Sequence, residues 1–283
     1  MHPVLFTIPT PWGEQPIYSY GLMLGLSLVL GWQLVARVAA RVDGLDEDEV
    51  GNAYFVAAVC GLLGARLLYV LLHPELVEQT GQRWYDFASG GGSAYGGFLG
   101  GLLGAAIYCR IKRLPLGALA DASAPAVAVG TVLTRTGCYL YGCDFGTRLS
   151  DAAPSALRAL GTFPAGSPAF HHHVDRFALA ADASGSLPVH PTQLYEALFG
   201  LALLALSVYL LRRRRFRGQV MLAVAMAYGA FRFVVEYVRA NPEAAGAFGF
   251  SSAQLLSVPV IALCALAYSH LSAEAHRMGP ATR

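Results

Sequence analysis

Seven apolar blocks recur along this 283-residue chain, at approximately Ile17–Ala39, Gly51–Leu72, Ser93–Cys109, Leu116–Leu133, Pro191–Leu211, Gln219–Val238 and Ala253–His270. A helix needs about 20 apolar residues to cross roughly 30 Å of hydrocarbon, and each block has about that length. In lipid the backbone must satisfy its own hydrogen bonds, which leaves helices as the solution for blocks of this kind. The pattern therefore predicts an all-α integral membrane protein of about seven transmembrane helices. Charged residues are only 13% of the chain, against roughly 25% in soluble domains. The fourth block is the weakest, because it contains Asp121 and Pro125 and is otherwise mostly Ala and Val.

Basic residues set the orientation. Arg37 and Arg41 follow block one, Arg110, Lys112 and Arg113 follow block three, Arg212–Arg215 and Arg217 follow block five, and Arg277 and Arg283 lie in the tail. These are alternate loops. Keeping them inside puts the N-terminus outside and the C-terminus in the cytoplasm, as an odd number of spans requires. The fourth block is retained because this alternation needs it. A net charge of +2 is too small to imply a nucleic-acid partner. The stretch before the first span lacks a basic region and a small-residue cleavage site, so that span is expected to stay in the protein. The whole chain reads as one polytopic membrane domain, in which residues 137–188, rich in Gly, Pro, Ser and Asp, form a small extramembrane cap on the outer face.

Several features have ordinary readings. The glycines of GGGSAYGGFLGGLLG place Gly97, Gly101 and Gly104 near one helix face, which suits close helix packing. No GK[ST] follows them, so they are not a phosphate-binding loop. His171–His173 are read as solvated loop histidines, and no metal site or cofactor is expected. Cys138 and Cys143 face the oxidising side in this topology, which leaves a disulfide open.

Arginines inside or at the edge of apolar blocks carry more information. Arg66, Arg135 and Arg232 would each be costly in lipid unless they face a polar cavity with partners. Glu236 lies one helical turn after Arg232. Guanidinium forks match phosphate oxygens bidentately, and phospholipid is the abundant phosphate in a membrane. VHPTQLYEALFG adds His190, Gln193, Tyr195 and Glu196 at the mouth of span five.

The segments IYSYGLM, CGLLGARLLYV, AYGGFLGG, RTGCYLYGCDFG, HPTQLYE, YGAFRFVVEYVRANPE and QLLSVPV, in this order, resemble the prolipoprotein diacylglyceryl transferase family over nearly the whole chain except the cap. The resemblance implies a bacterial inner-membrane enzyme with a periplasmic N-terminus, cap and active site. It would move the diacylglyceryl group of phosphatidylglycerol to the lipobox cysteine of prolipoprotein signal peptides, without a cofactor. Carried over by motif, Arg135 and Arg232 would be catalytic, with Tyr20 and His190 assisting. Arg66, Tyr95, Gly96, Gly97, Gly137, Gly142, Gln193, Tyr195, Glu196, Glu236 and Arg239 would bind substrate. Departures from the family pattern occur at Tyr95, where many members have His, at Cys138 and Tyr141 in place of asparagines, and at Cys143 in place of an acidic residue, with Asp144 adjacent. They motivate a second reading, a paralogue that binds phospholipid or lipoprotein without transfer or with altered specificity. A small-molecule transporter is a third.

Overall fold

The computed structural model describes residues 4–11, 13–75, 85, 91–240 and 249–277. Arg283 of the tail, Gly90 of the glycine-rich segment and residues 241–243 of the ANPE sequence lie outside them. The chain starts with a hairpin absent from the sequence reading, β1 (Val4–Thr10) paired antiparallel with β2 (Gly13–Tyr18). Four long helices follow: α1 (Ser19–Asp43), α2 (Glu47–Leu72), α3 (Ala94–Lys112) and α4 (Leu116–Tyr141). Short helices α5 (Ser155–Leu160) and α6 (Pro168–Phe177) precede α7 (Thr192–Leu211), α8 (Gln219–Val235), a single 3₁₀ turn (Glu236–Val238) and α9 (Ser252–Arg277).

Among the described residues, α1, α2, α4, α7, α8 with its 3₁₀ turn, and α9 are long and apolar enough to cross a membrane. The chain is thus an all-α integral membrane protein. The third block forms the 19-residue helix α3. The weak fourth block is helical over 26 residues in spite of Pro125.

The chain divides into two compact units, residues 32–123 and residues 1–31 with 124–283. In the first, α2 and α3 pack with their backbones nearly touching. A methyl group on Gly64 would collide with the Gly96 carbonyl oxygen and lie 3.1 Å from the Gly100 Cα. Without a hydrophobic force between helices in lipid, such close contact supplies the association. Asp46 caps α2 by accepting from the Glu49 N–H at 2.9 Å, and Glu47, Asp48 and Glu49 complement the positive end of the helix dipole. Glu49 also takes Lys112 at 3.0 Å and the Tyr108 hydroxyl at 2.8 Å.

In the second unit, α4, α7 and α8 share a core of Ala124, Ala128, Leu203, Val220 and Val224. The buried residues of α7 are Thr192, Gln193, Glu196, Gly200, Leu203 and Ser207, a stripe at helical spacing whose polar residues gather at its start apart from Ser207, which donates to the Leu204 carbonyl at 2.8 Å. Phe199 and Phe231 stack with centroids 4.0 Å apart. The segment between α4 and α7 builds its own small core from Phe163, Ala169 and Val189, with Tyr139 and Phe145 against it.

The histidine triplet corrects the sequence reading. Residues 171–173 lie in α6, where Ser167 accepts from the Phe170 N–H, Pro168 occupies the first turn and Ala178 closes the helix with left-handed geometry. Ala169, Phe170 and His173 face inward at helical spacing. The His173 ring accepts the Leu187 N–H on Nδ1 at 3.1 Å. Burial, then His172 and Arg148, hold that imidazole below its ordinary range, consistent with a neutral acceptor.

Candidate active site

Three helix ends converge where α4 stops, α7 starts and α8 passes into its 3₁₀ turn. Arg135 comes from the penultimate turn of α4, Glu196 from the first turn and a half of α7, Arg232 from the last turn of α8, and Glu236 and Arg239 from the turn beyond. Glu196, 1% exposed, is the hub. Its Oε2 lies 2.8 Å from Nε of Arg135, and its Oε1 lies 2.7 Å from Nη1 of Arg239 and 3.9 Å from Nη1 of Arg232. Glu236, 2% exposed, takes Nη2 of Arg232 at 3.0 Å and Nε of Arg239 at 3.7 Å.

Asp144 completes the cluster. Its Oδ2 accepts from Nη1 of Arg135 at 2.7 Å, and its Oδ1 accepts from Nη2 of Arg239 at 2.9 Å. Burial alone would raise this carboxyl, but Arg239 and Arg135 outweigh it and hold Asp144 below the usual carboxylate range. Two left-handed residues make this geometry, Gly142 at φ 86° and Asp144 itself at φ 58°, so the chain reverses sharply off the end of α4. Thr192 Oγ1 donates to the Asp144 carbonyl at 2.7 Å, and Gln193 Nε2 donates to the Cys143 carbonyl. Gln193 is thus a backbone clamp on the turn that presents Asp144.

Neither Asp144 nor Thr192 is among the site residues that the family resemblance assigns. The available signal was an aspartate directly after a glycine turn, nine residues beyond an intramembrane arginine.

Other expected residues divide by unit. Gly137 lets α4 approach α1, since a methyl there would sit 2.9 Å from the Met23 Cβ and 3.1 Å from the Tyr20 Cα. Tyr20 is on that stretch of α1. His190 Nδ1 lies 3.3 Å from the Tyr195 hydroxyl, and its backbone bonds Thr147 and Gly146 at 2.9 Å. Arg66, 2% exposed, belongs to the other unit, where Nη1 donates to the Gly91 carbonyl at 3.3 Å and the guanidinium lies 5.6 Å from the Tyr69 ring centroid. Tyr95, Gly96 and Gly97 open α3 in the same unit, and both glycines lie against α2.

Beside the cluster a cleft of about 400 Å³ is lined by Glu236 and Arg239, with Phe145, Phe177, Tyr237, Arg148 and His172 among its walls. Nη1 of Arg232 is buried with no hydrogen-bond partner and lies 3.9 Å from Oε1 of Glu196.

These features define a multi-pass membrane protein whose helix ends gather three arginines and three carboxylates. The family model for prolipoprotein diacylglyceryl transferase matches residues 3–269, and the chain belongs to that family. It is 34% identical over 265 residues to the phosphatidylglycerol–prolipoprotein diacylglyceryl transferase of Thermus thermophilus, covering 89% of this chain and 93% of the relative. The Geobacter sulfurreducens protein of the same name is 33% identical, with 92% of each chain covered. A Clostridium perfringens relative, with the same name numbered 2, is 27% identical over 87% of each.

Proposed function

We propose that this chain transfers the diacylglyceryl group of phosphatidylglycerol to the lipobox cysteine thiol of prolipoproteins, releasing glycerol 1-phosphate. The observation that carries this reading is the buried arginine cluster, in which Arg232 Nη1 makes no hydrogen bond and lies 3.9 Å from Glu196 Oε1, beside Arg135 and Arg239. The acceptor sulfur attacks the glycerol carbon, a carbon–sulfur bond forms, and the carbon–oxygen bond to phosphate breaks. Negative charge builds on the departing phosphate oxygen, where fixed guanidiniums act most strongly in a site of low dielectric. Arg135 and Arg232 hold that phosphate, and Glu236 orients Arg232 through their 3.0 Å pair. The acceptor thiol has a reference pKa near 8.5 and needs help to ionise, for which His190, paired with Tyr195, and Tyr20 are the candidates.

In this reading the protein lies in the bacterial inner membrane with seven spans, a periplasmic N-terminus and cytoplasmic C-terminus. The cap and active site face the periplasm, where the signal peptide of the acceptor emerges. The test is transfer of labelled diacylglycerol from phosphatidylglycerol to a lipobox peptide by purified protein, beside Arg135→Ala and Arg232→Ala. Wild type without transfer would overturn the proposal. Full activity in Arg135→Ala would overturn the site assignment.

A further inference from the structure

We infer that Cys138 and Cys143 are a modification site, a thiol pair that closes into a reversible disulfide and thereby resets Asp144. Both are free thiols here. Their sulfurs and a carboxylate oxygen of Asp144 all lie within 4.8 Å of one another. The two cysteines are brought together by the turn off α4, where the Gly142 and Cys143 N–H groups both donate to the Cys138 carbonyl, at 2.8 and 3.1 Å. Cys138 is buried and directs its S–H toward Oδ2 of Asp144 at 3.6 Å. Cys143 is half-buried.

This asymmetry assigns the roles. Cys143 is the more accessible of the two, and Cys138 is only 3% exposed. Cys143 is therefore the accessible attacking sulfur, and Cys138 is the sheltered resolving one. The same three ligand atoms span a distance that suits a soft cation, but Asp144 is already bound by Arg135 and Arg239. Two guanidiniums at that carboxylate oppose a divalent ion.

The oxidant is an external disulfide. The Cys143 thiolate attacks one of its sulfurs, forming a mixed disulfide and releasing one thiolate. Cys138 then gives up its proton, attacks the Cys143 sulfur and expels the second thiolate. Two protein thiols and one disulfide become one protein disulfide and two thiols, and the released thiolates take up the protons. Closure draws the sulfurs to roughly 2 Å, removes the S–H that faces Asp144, and tightens the backbone directly before that residue. Asp144 then shifts relative to Arg135 and Arg239. Nothing in the formation of the bond depends on the transferase reading; its effect on transfer rests on that reading.

The test uses the full chain in lipid nanodiscs, treated with oxidised glutathione or with a reductant, then alkylated under denaturing conditions and cut with trypsin. Both cysteines fall in the peptide Thr136–Arg148. After oxidant it should be unalkylated and lighter by two hydrogens than its unalkylated reduced form. After reductant it should carry two alkyl groups. Double alkylation after oxidant would overturn the proposal, as would a glutathione adduct that never resolves. Transfer from phosphatidylglycerol, measured on the same samples, should fall at least about tenfold on oxidation and return on reduction. The ratio of oxidised to reduced rates should become one in Cys143→Ser and in Cys138→Ser. A bridge that forms without changing the rate would overturn the coupling to Asp144. Absence of transfer in both states would count against the transferase reading alone, because the peptide mass still decides the bond.

Discussion

Arg239 donates through Nη1 to Oε1 of Glu196 at 2.7 Å, inside a site where Glu196 also holds Arg135 by its other oxygen at 2.8 Å. One nearly inaccessible carboxylate thus ties the end of α8 to the end of α4. Removing it leaves guanidiniums buried without their counter-charge, so Glu196→Ala should destabilise the protein by about 3–5 kcal/mol. Glu196→Gln should lose less, since the amide oxygen still accepts. Thermal unfolding in mild detergent compares the two.

Arg135 is ion-paired with Glu196 through Nε and hydrogen-bonds Asp144 through Nη1, using two edges of its guanidinium. A lysine ammonium is a point charge and cannot occupy both edges in that fixed plane. Transfer should fall by about 10²-fold or more in Arg135→Ala, with Arg135→Lys intermediate. Initial rates at saturating phosphatidylglycerol measure the order of the three proteins.

Asp144 has a depressed carboxyl in the folded protein, because Arg239 and Arg135 outweigh the opposing effect of burial. A folded value below the unfolded one means that its stabilisation is complete above the unfolded value, about 3.9, and is lost as pH falls through the folded value. The stability difference between wild type and Asp144→Asn should be flat from about pH 5 to pH 8 and shrink below about pH 4. Unfolding titrations across that range would show a different course if Asp144 were not ion-paired.

Gly64 meets Gly96 and Gly100 with no room for a side chain. Gly64→Ala should force α2 and α3 apart and destabilise the protein by about 1–3 kcal/mol, a loss visible as a lower melting temperature. Gly130→Ala, where nothing lies within 4 Å of the added methyl, is the control and should melt like wild type.

The helices were legible because lipid permits few backbone solutions, so block length alone located them to within a few residues over most of the chain. The hairpin Val4–Tyr18 was not, since its two strands are short and hold two prolines, Pro9 and Pro16. The triplet at 171–173 was missed as a helix because its apolar face is only three residues wide and its capping serine sits among loop residues. Arg135, Arg232, Glu196 and Glu236 were legible from the expense of charge in an apolar block. Asp144 was not, because an aspartate in a polar loop is inexpensive anywhere. Its importance comes from a turn whose two left-handed residues no local propensity announces.

Among the described residues, the cluster holds three guanidiniums against three carboxylates. Its formal charges cancel, so the cluster has no monopole with which to draw ions from a distance. In the proposed transfer, an arriving phosphate exchanges places with a resident anion. Glu196 and Glu236 are sealed at 1% and 2% exposure, whereas Asp144 is 40% exposed and leads off a loop. On the proposed reading, Asp144 is an internal stand-in for the phosphate, and the ease with which that carboxylate steps aside sets how selectively the site admits an anion.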